Sequence, residues 1–414
     1  MATSSRYADL EQALQQLKLS PDKLKIRRTS SRFCLGIEHG DYNGTELFGV
    51  GTDRFIWVSY AENHTGKLRL LSTNFPDDGV LEIDPTQLPD RKAVADSWAR
   101  FPAGVLSILQ QEGYPVRQGF DAAVVGNIPG GGMSRSASLA INLLLTVAEV
   151  NGFEYESGLR VVELAQRVEN DYIGSPCGIL DQVMIYFAKA GMGTRFNPAD
   201  KSVEHVPLGG DPDLFRLVSL DTGTVRHGLE KSTYKIRREE CEKLVELCQP
   251  EFGLKNLGAV KSQDVYDGII SRFGQSHPHL CARLRYLFGA QQRFERMMKA
   301  WREGDIETVG AIFRKDGRSL RDDYQISGPE LESMCDIART VPGVLGERML
   351  GGGDKGASGA IVRTDAVDAL KEAVKCGYPR SRPEMAERYA THACSMVDGV
   401  STLTWDDLKP EDLD

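Results

Sequence analysis

The chain lacks most of the features by which common function classes can be read from sequence. Its eight cysteines, Cys34, Cys177, Cys241, Cys248, Cys281, Cys335, Cys376 and Cys394, include no C-x-x-C pair. That excludes a zinc ribbon or thioredoxin-type centre and fits reduced thiols in a cytosolic protein. The seven histidines form no H-E-x-x-H pattern, so a hydrolytic zinc of that kind is not expected. The longest apolar stretch, around Leu139 to Val150, is interrupted by Asn142 and Glu149 and falls short of the roughly 20 residues that span a bilayer. No membrane span is expected, and the polar N-terminus carries no apolar secretory core. Positive charge is also short: 50 Lys and Arg against 59 Asp and Glu leave a formal net charge of -9, which argues against broad binding to nucleic acid. Internal repeats, low-complexity blocks and a Pro/Ser-rich linker are missing as well.

What remains is a globular composition, 41% hydrophobic and 26% charged over 414 residues, a length that suits two domains. The cluster of Pro207, Gly209, Gly210, Asp211 and Pro212 is the best candidate boundary, dividing the chain into 1–209 and 210–414. Leu10, Leu14 and Leu17 predict an amphipathic N-terminal helix. β-Branched and aromatic residues predict strands at 54–60, 68–71, 120–128, 215–221 and 360–363. Helical spacing covers 94–111, with Pro102 at a kink or first turn, then 134–150, 158–170, 179–188, 232–247, 280–302 and 306–322. The tail from Thr402 is acidic and reads as solvated.

One order of elements bears on chemistry: a strand, then Pro129-Gly130-Gly131-Gly132, then a helix. Glycine lets backbone N–H groups crowd one anion, and a helix start presents unpaired donors with partial positive charge. Read alone, this is equally a phosphate cradle or a plain turn. It lacks the G-K-[ST] ending of a P-loop. Ser134, Ser136 and Ser138 are either helix caps or phosphate and Mg2+ ligands. Glu169 reads by default as a surface carboxylate. Asp181 follows a Pro-Cys-Gly turn amid apolar residues and is a cap or a functional acid. Glu38, His39 and Asp41 beside the turn at 41–44 suit a sugar or metal site.

Together these segments acquire a specific resemblance. Arg32-Phe-Cys-Leu-Gly-Ile-Glu38-His39-Gly40-Asp41-Tyr42-Asn43-Gly44 resembles the galactokinase signature. Pro129 to Ser138 and Leu350 to Gly356 resemble the second and third motifs of the GHMP small-molecule kinases. Pro176-Cys-Gly-Ile-Leu-Asp-Gln182, Val225-Arg-His227, and Tyr234 with Arg237-Arg-x-x-Cys241 are similar to further galactokinase segments, all in family order.

The resemblance implies an α+β (mixed α/β) two-domain GHMP kinase fold. Its N-terminal domain would be like ribosomal protein S5 domain 2 and its C-terminal domain ferredoxin-like, with the active site between them. It implies ATP-dependent phosphorylation of the C1 hydroxyl of galactose or a close relative, in a cytoplasmic monomer or weak dimer. Asp181 and Arg32 match the catalytic pair, and Glu38, His39, Asp41, Gly178 and Tyr234 match sugar contacts. Gly130, Gly131, Gly132, Ser134, Arg135, Ser136, Ala137 and Ser138 match the phosphate loop, Trp98 the adenine border, and Ser136 with Glu169 the Mg2+ ligands. A sugar and ATP sensor without turnover, or a kinase for N-acetylgalactosamine, arabinose or galacturonate, is the alternative. Departures are Ser30-Ser31 for Pro-Gly, Gly36-Ile37 for Ile-Gly, Arg135 for a serine, and Asp354-Lys355 for Phe-Gly. Arg135 and Lys355 are expected to add positive charge around the nucleotide phosphates.

Overall fold

The computed structural model describes residues 5–224 and 233–413. The first helix, α1 (Arg6–Leu17), is capped by Ser5, whose Oγ accepts from the Ala8 N–H at 3.3 Å, and ends on Lys18 in the left-handed region. Its Leu10, Leu14 and Leu17 are buried, each worth about 1.5–3 kcal/mol of transfer free energy. They pack on one face of a sheet built from β1 (Lys25–Gly36), β2 (Leu47–Asn63), β3 (Leu68–Ser72) and β4 (Val80–Ile83). The helix α2 (Arg100–Gln111) precedes β5 (Gly119–Gly126), and Pro102 sits in its first turn, where no helical donor is lost. After the glycine loop come α3 (Arg135–Asn151), α4 (Gly158–Arg167) and α5 (Leu180–Tyr186), then β6 (Met192–Asn197) and β7 (Ser202–Pro207).

Alternation along the strands explains why both sheet faces are covered. In β2, Phe55 and Trp57 face α1, whereas Ile56, Val58 and Tyr60 join the core under α2, α3 and α4. In β5, Ala123 and Val125 take the first face and Ala122 and Val124 the second. The pairing β3–β5 is parallel; the other strand pairs of this sheet are antiparallel.

The second half opens with β8 (Phe215–Asp221) and continues through α6 (Thr233–Phe252), α7 (Gln263–Phe273), α8 (Pro278–Glu303), α9 (Ile306–Ser319) and α10 (Pro329–Arg339). Next come β9 (Val344–Met349), β10 (Ala357–Arg363), α11 (Val367–Ser381) and β11 (Ala390–Cys394). The strands form a four-stranded antiparallel sheet in the order β11-β8-β10-β9. We propose the 209/210 boundary at the crossing from β7 to β8. No gap in the core marks it: Phe33, Leu35, Phe48 and Val50 of the first half share one cluster with Phe294, Trp301 and Phe313. The Trp301 indole N–H also donates to the Val206 carbonyl at 2.9 Å.

The acidic side chains of the tail, Asp406, Asp407 and Glu411, are exposed as expected, but the tail is anchored to the fold. A last strand, β12 (Val400–Leu403), pairs antiparallel with β1, so the chain end returns to the first sheet. The short α12 (Pro410–Leu413) follows, and Leu408 and Leu413 are buried in the core cluster that holds α1's leucines. The acidic residues between them hid an apolar pair that only tertiary packing brings together. The helix expected over 158–170 is also divided: α4 stops at Arg167 and a π-helical turn, Val168–Ile173, carries Glu169.

Candidate active site

A cavity of about 670 Å³ opens where several segments meet. Among them are the β1–β2 loop, the stretch after β3, the residues leading into α2, the glycine loop before α3, the turn before α5, the start of α6, and the second glycine loop between β9 and β10. The two glycine loops touch backbone to backbone: a Cβ on Gly131 would overlap the Gly356 main chain. A Cβ on Gly178 would likewise overlap the Asp41 carboxylate. At both positions close approach, rather than flexibility, demands glycine.

Asp181 lies in the first turn of α5. Its Oδ1 accepts from Arg32 Nε at 2.8 Å and lies 2.8 Å from Arg32 Nη2. Arg32 also donates from Nη1 to the Gly132 carbonyl at 2.8 Å, tying the carboxylate to the glycine loop. The guanidinium is 1% exposed. Burial opposes its charge, but Asp181 and Glu38 outweigh burial and hold it above its ordinary value.

On one side of this pair lie the predicted sugar contacts. Glu38 is buried; its Oε1 accepts from the Gly351 N–H at 3.0 Å and stands 3.5 Å from Arg348 Nη2. Burial raises the Glu38 carboxyl above its ordinary value against the pull of Arg348 and Arg32. Asp41, raised by burial as well, accepts from the Leu180 N–H at 3.2 Å. His39 shares a hydrogen bond with the Tyr42 hydroxyl through Nδ1 at 2.9 Å, and its ring lies 5.2 Å from that of Tyr234. Gly178 and Tyr234 line the same space.

On the other side lies the glycine loop. Ser134 occupies the N-cap position of α3 but is left-handed (φ 57) and makes no side-chain cap bond; its buried Oγ has no hydrogen-bond partner among the described residues. Ser136 Oγ donates to Glu169 Oε2 at 2.9 Å, and Gln182 donates to Glu169 Oε1 at 3.0 Å. Glu169 is therefore no surface carboxylate. Burial, with Asp181 nearby, pushes it up to about 7. Gly130, Gly131, Gly132, Arg135 and Lys355 line the cavity too. Ala137 and Ser138 do not: both are buried behind the loop, where the Ser138 hydroxyl donates to the Thr29 carbonyl at 3.2 Å and fastens α3 to β1. Trp98 borders the far end, stacked on Phe75 at 6.4 Å, with a buried indole N–H that has no partner among the described residues. The Val225-Arg-His227 motif lies outside the described residues.

Phe75 on the cavity wall, and Arg348 and Tyr324 behind it, are not foreseen from sequence. Phe75 is 39% exposed, and the Arg135 guanidinium lies 5.9 Å from its ring; a phenylalanine set in Asn74-Phe75-Pro76-Asp77 was the available signal. Arg348 left one too, a charged pair Glu347-Arg348 inside an apolar run. Tyr324, whose hydroxyl lies 2.7 Å from that of Tyr42, left none.

Buried donors without partners among the described residues, a carboxylate paired with a fixed guanidinium, and two glycine loops suit transfer of a phosphoryl group between two bound molecules. Comparisons with known proteins agree. Residues 100–189 match the family described as GHMP kinases N terminal domain. The chain is 32% identical to a galactokinase of Enterococcus faecalis over 371 residues, 88% of this chain and 92% of that one. To a galactokinase of Lactiplantibacillus plantarum it is 34% identical over 341 residues, covering 81% and 85%. Among solved structures, Lactococcus lactis galactokinase complexed with galactose superposes with a TM-score of 0.86 at 26% identity, over 96% of this chain and all of that one. Methanococcus jannaschii mevalonate kinase shares the fold, with a TM-score of 0.63 at 15% identity.

Proposed function

The chain belongs to the galactokinase family, and on that premise we propose that it transfers the γ-phosphoryl group of ATP to the C1 hydroxyl of galactose. The observation that carries this reading is the Arg32–Asp181 pair, bonded to the carbonyl of the phosphate loop and facing the Glu38–His39–Asp41 segment across one cavity. Asp181 accepts the proton of the attacking hydroxyl or stabilises it as charge develops, and Arg32 offsets the charge spread over the phosphoryl group. Both roles need the carboxylate held still, which the Arg32 contacts provide.

The phosphates lie along residues 130–136, where the Ser134 hydroxyl awaits an acceptor. Among the described residues no group of three or more His, Cys, Asp or Glu could hold a metal. The Ser136–Glu169 pair instead suits Mg2+, a hard cation that takes few protein oxygens and shares the rest with phosphates and water. Bound there, Mg2+ supplies charge neutralisation on the phosphates. Arg135 and Lys355 add cations on the same side of the cavity. Their removal is expected to raise the KM for ATP, and unchanged affinity and turnover after neutralising each would reject that role. At the sugar end, the buried Glu38 carboxyl favours a hydroxymethyl group at C6 over a uronate, which it would repel.

The test is Mg-ATP-dependent ADP release with galactose, N-acetylgalactosamine, arabinose, galacturonate, glucose and no sugar. Galactose should give the highest kcat/KM, and Asp181→Asn should lower it by something on the order of 100-fold or more. Binding of sugar and ATP without stimulated turnover would sink the reading.

A further inference from the structure

A second cavity, of about 680 Å³, lies on the face formed by α8 and α9, and the residues lining it are not those of the cleft. Five cations line it: Arg285, Arg293, Arg314, Lys315 and Arg318, against the carboxylates of Asp322 and Asp323. In a chain of net charge -9, that local reversal of sign requires an explanation.

The arginines are held from behind. Arg293 donates from Nε to Asp316 Oδ1 at 2.7 Å, and Arg314 from Nε to Glu347 Oε2 at 2.7 Å and from Nη2 to the Val344 carbonyl at 3.0 Å. Asp316 and Glu347 are 2% and 1% exposed, so both anchors belong to the core. Arg285 is fixed through Nη1 to Asp323 at 3.0 Å. A guanidinium has five N–H donors, and these bonds leave part of each set unspent while fixing its orientation. Lys315 and Arg318, about one turn apart on the exposed side of α9, make neither a hydrogen bond nor an ion pair among the described residues. Gly289 keeps the opposite wall clear: a Cβ there would meet Arg293 Nη1 at 3.0 Å.

We propose that this groove binds a compact oligophosphate, a small molecule bearing two or more linked phosphates, at a site separate from the catalytic cleft. Pre-oriented guanidiniums recognise phosphate oxygens through paired, charge-assisted hydrogen bonds, and Lys315 and Arg318 supply the uncompensated charge. The anchoring carboxylates cancel charge as well as orient it. Binding therefore rests on directed donors, is of modest affinity, and weakens as salt rises.

Calorimetric titration with sodium tripolyphosphate tests this, using the full chain with saturating galactose and one equivalent per chain of a non-hydrolysable ATP analogue with Mg2+, which fills the cleft and leaves none over for the weaker groove. One site per chain is expected, tighter for tripolyphosphate than for inorganic phosphate. The double variant Lys315→Glu/Arg318→Glu should weaken it about tenfold or more, while Lys371→Glu/Lys375→Glu, an equal charge reversal at two exposed positions elsewhere, should leave it unchanged. Both groove positions are exposed, and an unaltered melting temperature confirms that the double variant is folded. Loss of binding once the cleft is filled, equal affinity for the single phosphate, or equal affinity in the double variant would each overturn the proposal.

Discussion

At the proposed sugar end of the cleft, Glu38, His39 and Tyr234 are at most 7% exposed, and the Gly351 N–H, Arg348 and Tyr42 fix Glu38 and His39. At the proposed nucleotide end, Phe75 is 39% exposed, and the Trp98 Nε1 and Ser134 Oγ atoms are buried without partners among the described residues. One end is complete in itself; the other awaits a ligand to satisfy it. Preorganisation of the first kind lowers the ordering cost of binding a small polar sugar, whereas orphaned polar groups hold destabilisation that a ligand relieves. Opposite consequences for mutation follow.

The largest effect should come from Arg348, at the sugar end. It is buried, stands 3.5 Å from Glu38, donates to the Cys34 carbonyl at 2.9 Å, and lies 4.4 Å over the Phe313 ring. Arg348→Met leaves Glu38 buried without its nearest cation, which should cost about 3–5 kcal/mol. Denaturant unfolding measures it, and a loss under 1 kcal/mol would mean that the sugar end is not held as described.

The nucleotide end should respond with the opposite sign. Glu169 is buried and pushed up to about 7 from an ordinary 4.5. The folded chain thus holds this proton more tightly than the unfolded one, so the group's contribution is present below about 4.5 and is lost as pH rises through 7. Glu169→Gln removes that loss and should stabilise the ligand-free protein by roughly 2–3 kcal/mol above pH 7. Phosphorylation should fall at the same time. Thermal melts between pH 5 and pH 8, wild type against variant, should diverge progressively from pH 5 to about pH 7 and keep a steady difference above it; a difference that does not change between pH 5 and pH 7 would reject the assignment.

Tyr324 tests how far the sugar-end network reaches. Its hydroxyl lies 2.7 Å from Tyr42 and 3.3 Å from the Cys241 sulfur, and Tyr42 in turn holds His39. Tyr324→Phe strands buried partners at a cost of about 1–3 kcal/mol. The KM for galactose should rise while that for ATP stays put. Equal changes in both would dissolve the distinction between the two ends.

Much of the site was legible because each motif is contiguous: one loop delivers Glu38, His39 and Asp41, another Gly130 to Ser136, and their glycines mark where backbones must nearly touch. Arg348 and Tyr324 were harder, since their roles depend on residues about 310 and 282 positions away in sequence. Helices and strands followed their 3.6- and 2-residue periods closely. The exceptions are places where long-range packing wins: Leu408 and Leu413 close on α1 despite acidic neighbours, and α4 relaxes into a π turn that carries Glu169 into the cavity. Such π segments often mark functional positions, and no local propensity announces them.

The smallest effect, and the finest test of the comparison, belongs to Phe75. Its ring is stacked 6.4 Å from Trp98 on one side and faces the Arg135 guanidinium at 5.9 Å, yet 39% of it remains exposed. An aromatic side chain of that kind contributes little to the fold but offers a flat apolar surface to a base. Phe75→Ala should leave the melting temperature within a degree or so of wild type, since surface substitutions stay within about 0.5 kcal/mol. The KM for ATP should rise several-fold, in keeping with about 0.5–1.5 kcal/mol for an aromatic pair, with the KM for galactose unchanged. Were Phe75→Ala instead to destabilise the free protein without touching ATP, the nucleotide end would be as self-sufficient as the sugar end, and the contrast between them would fail.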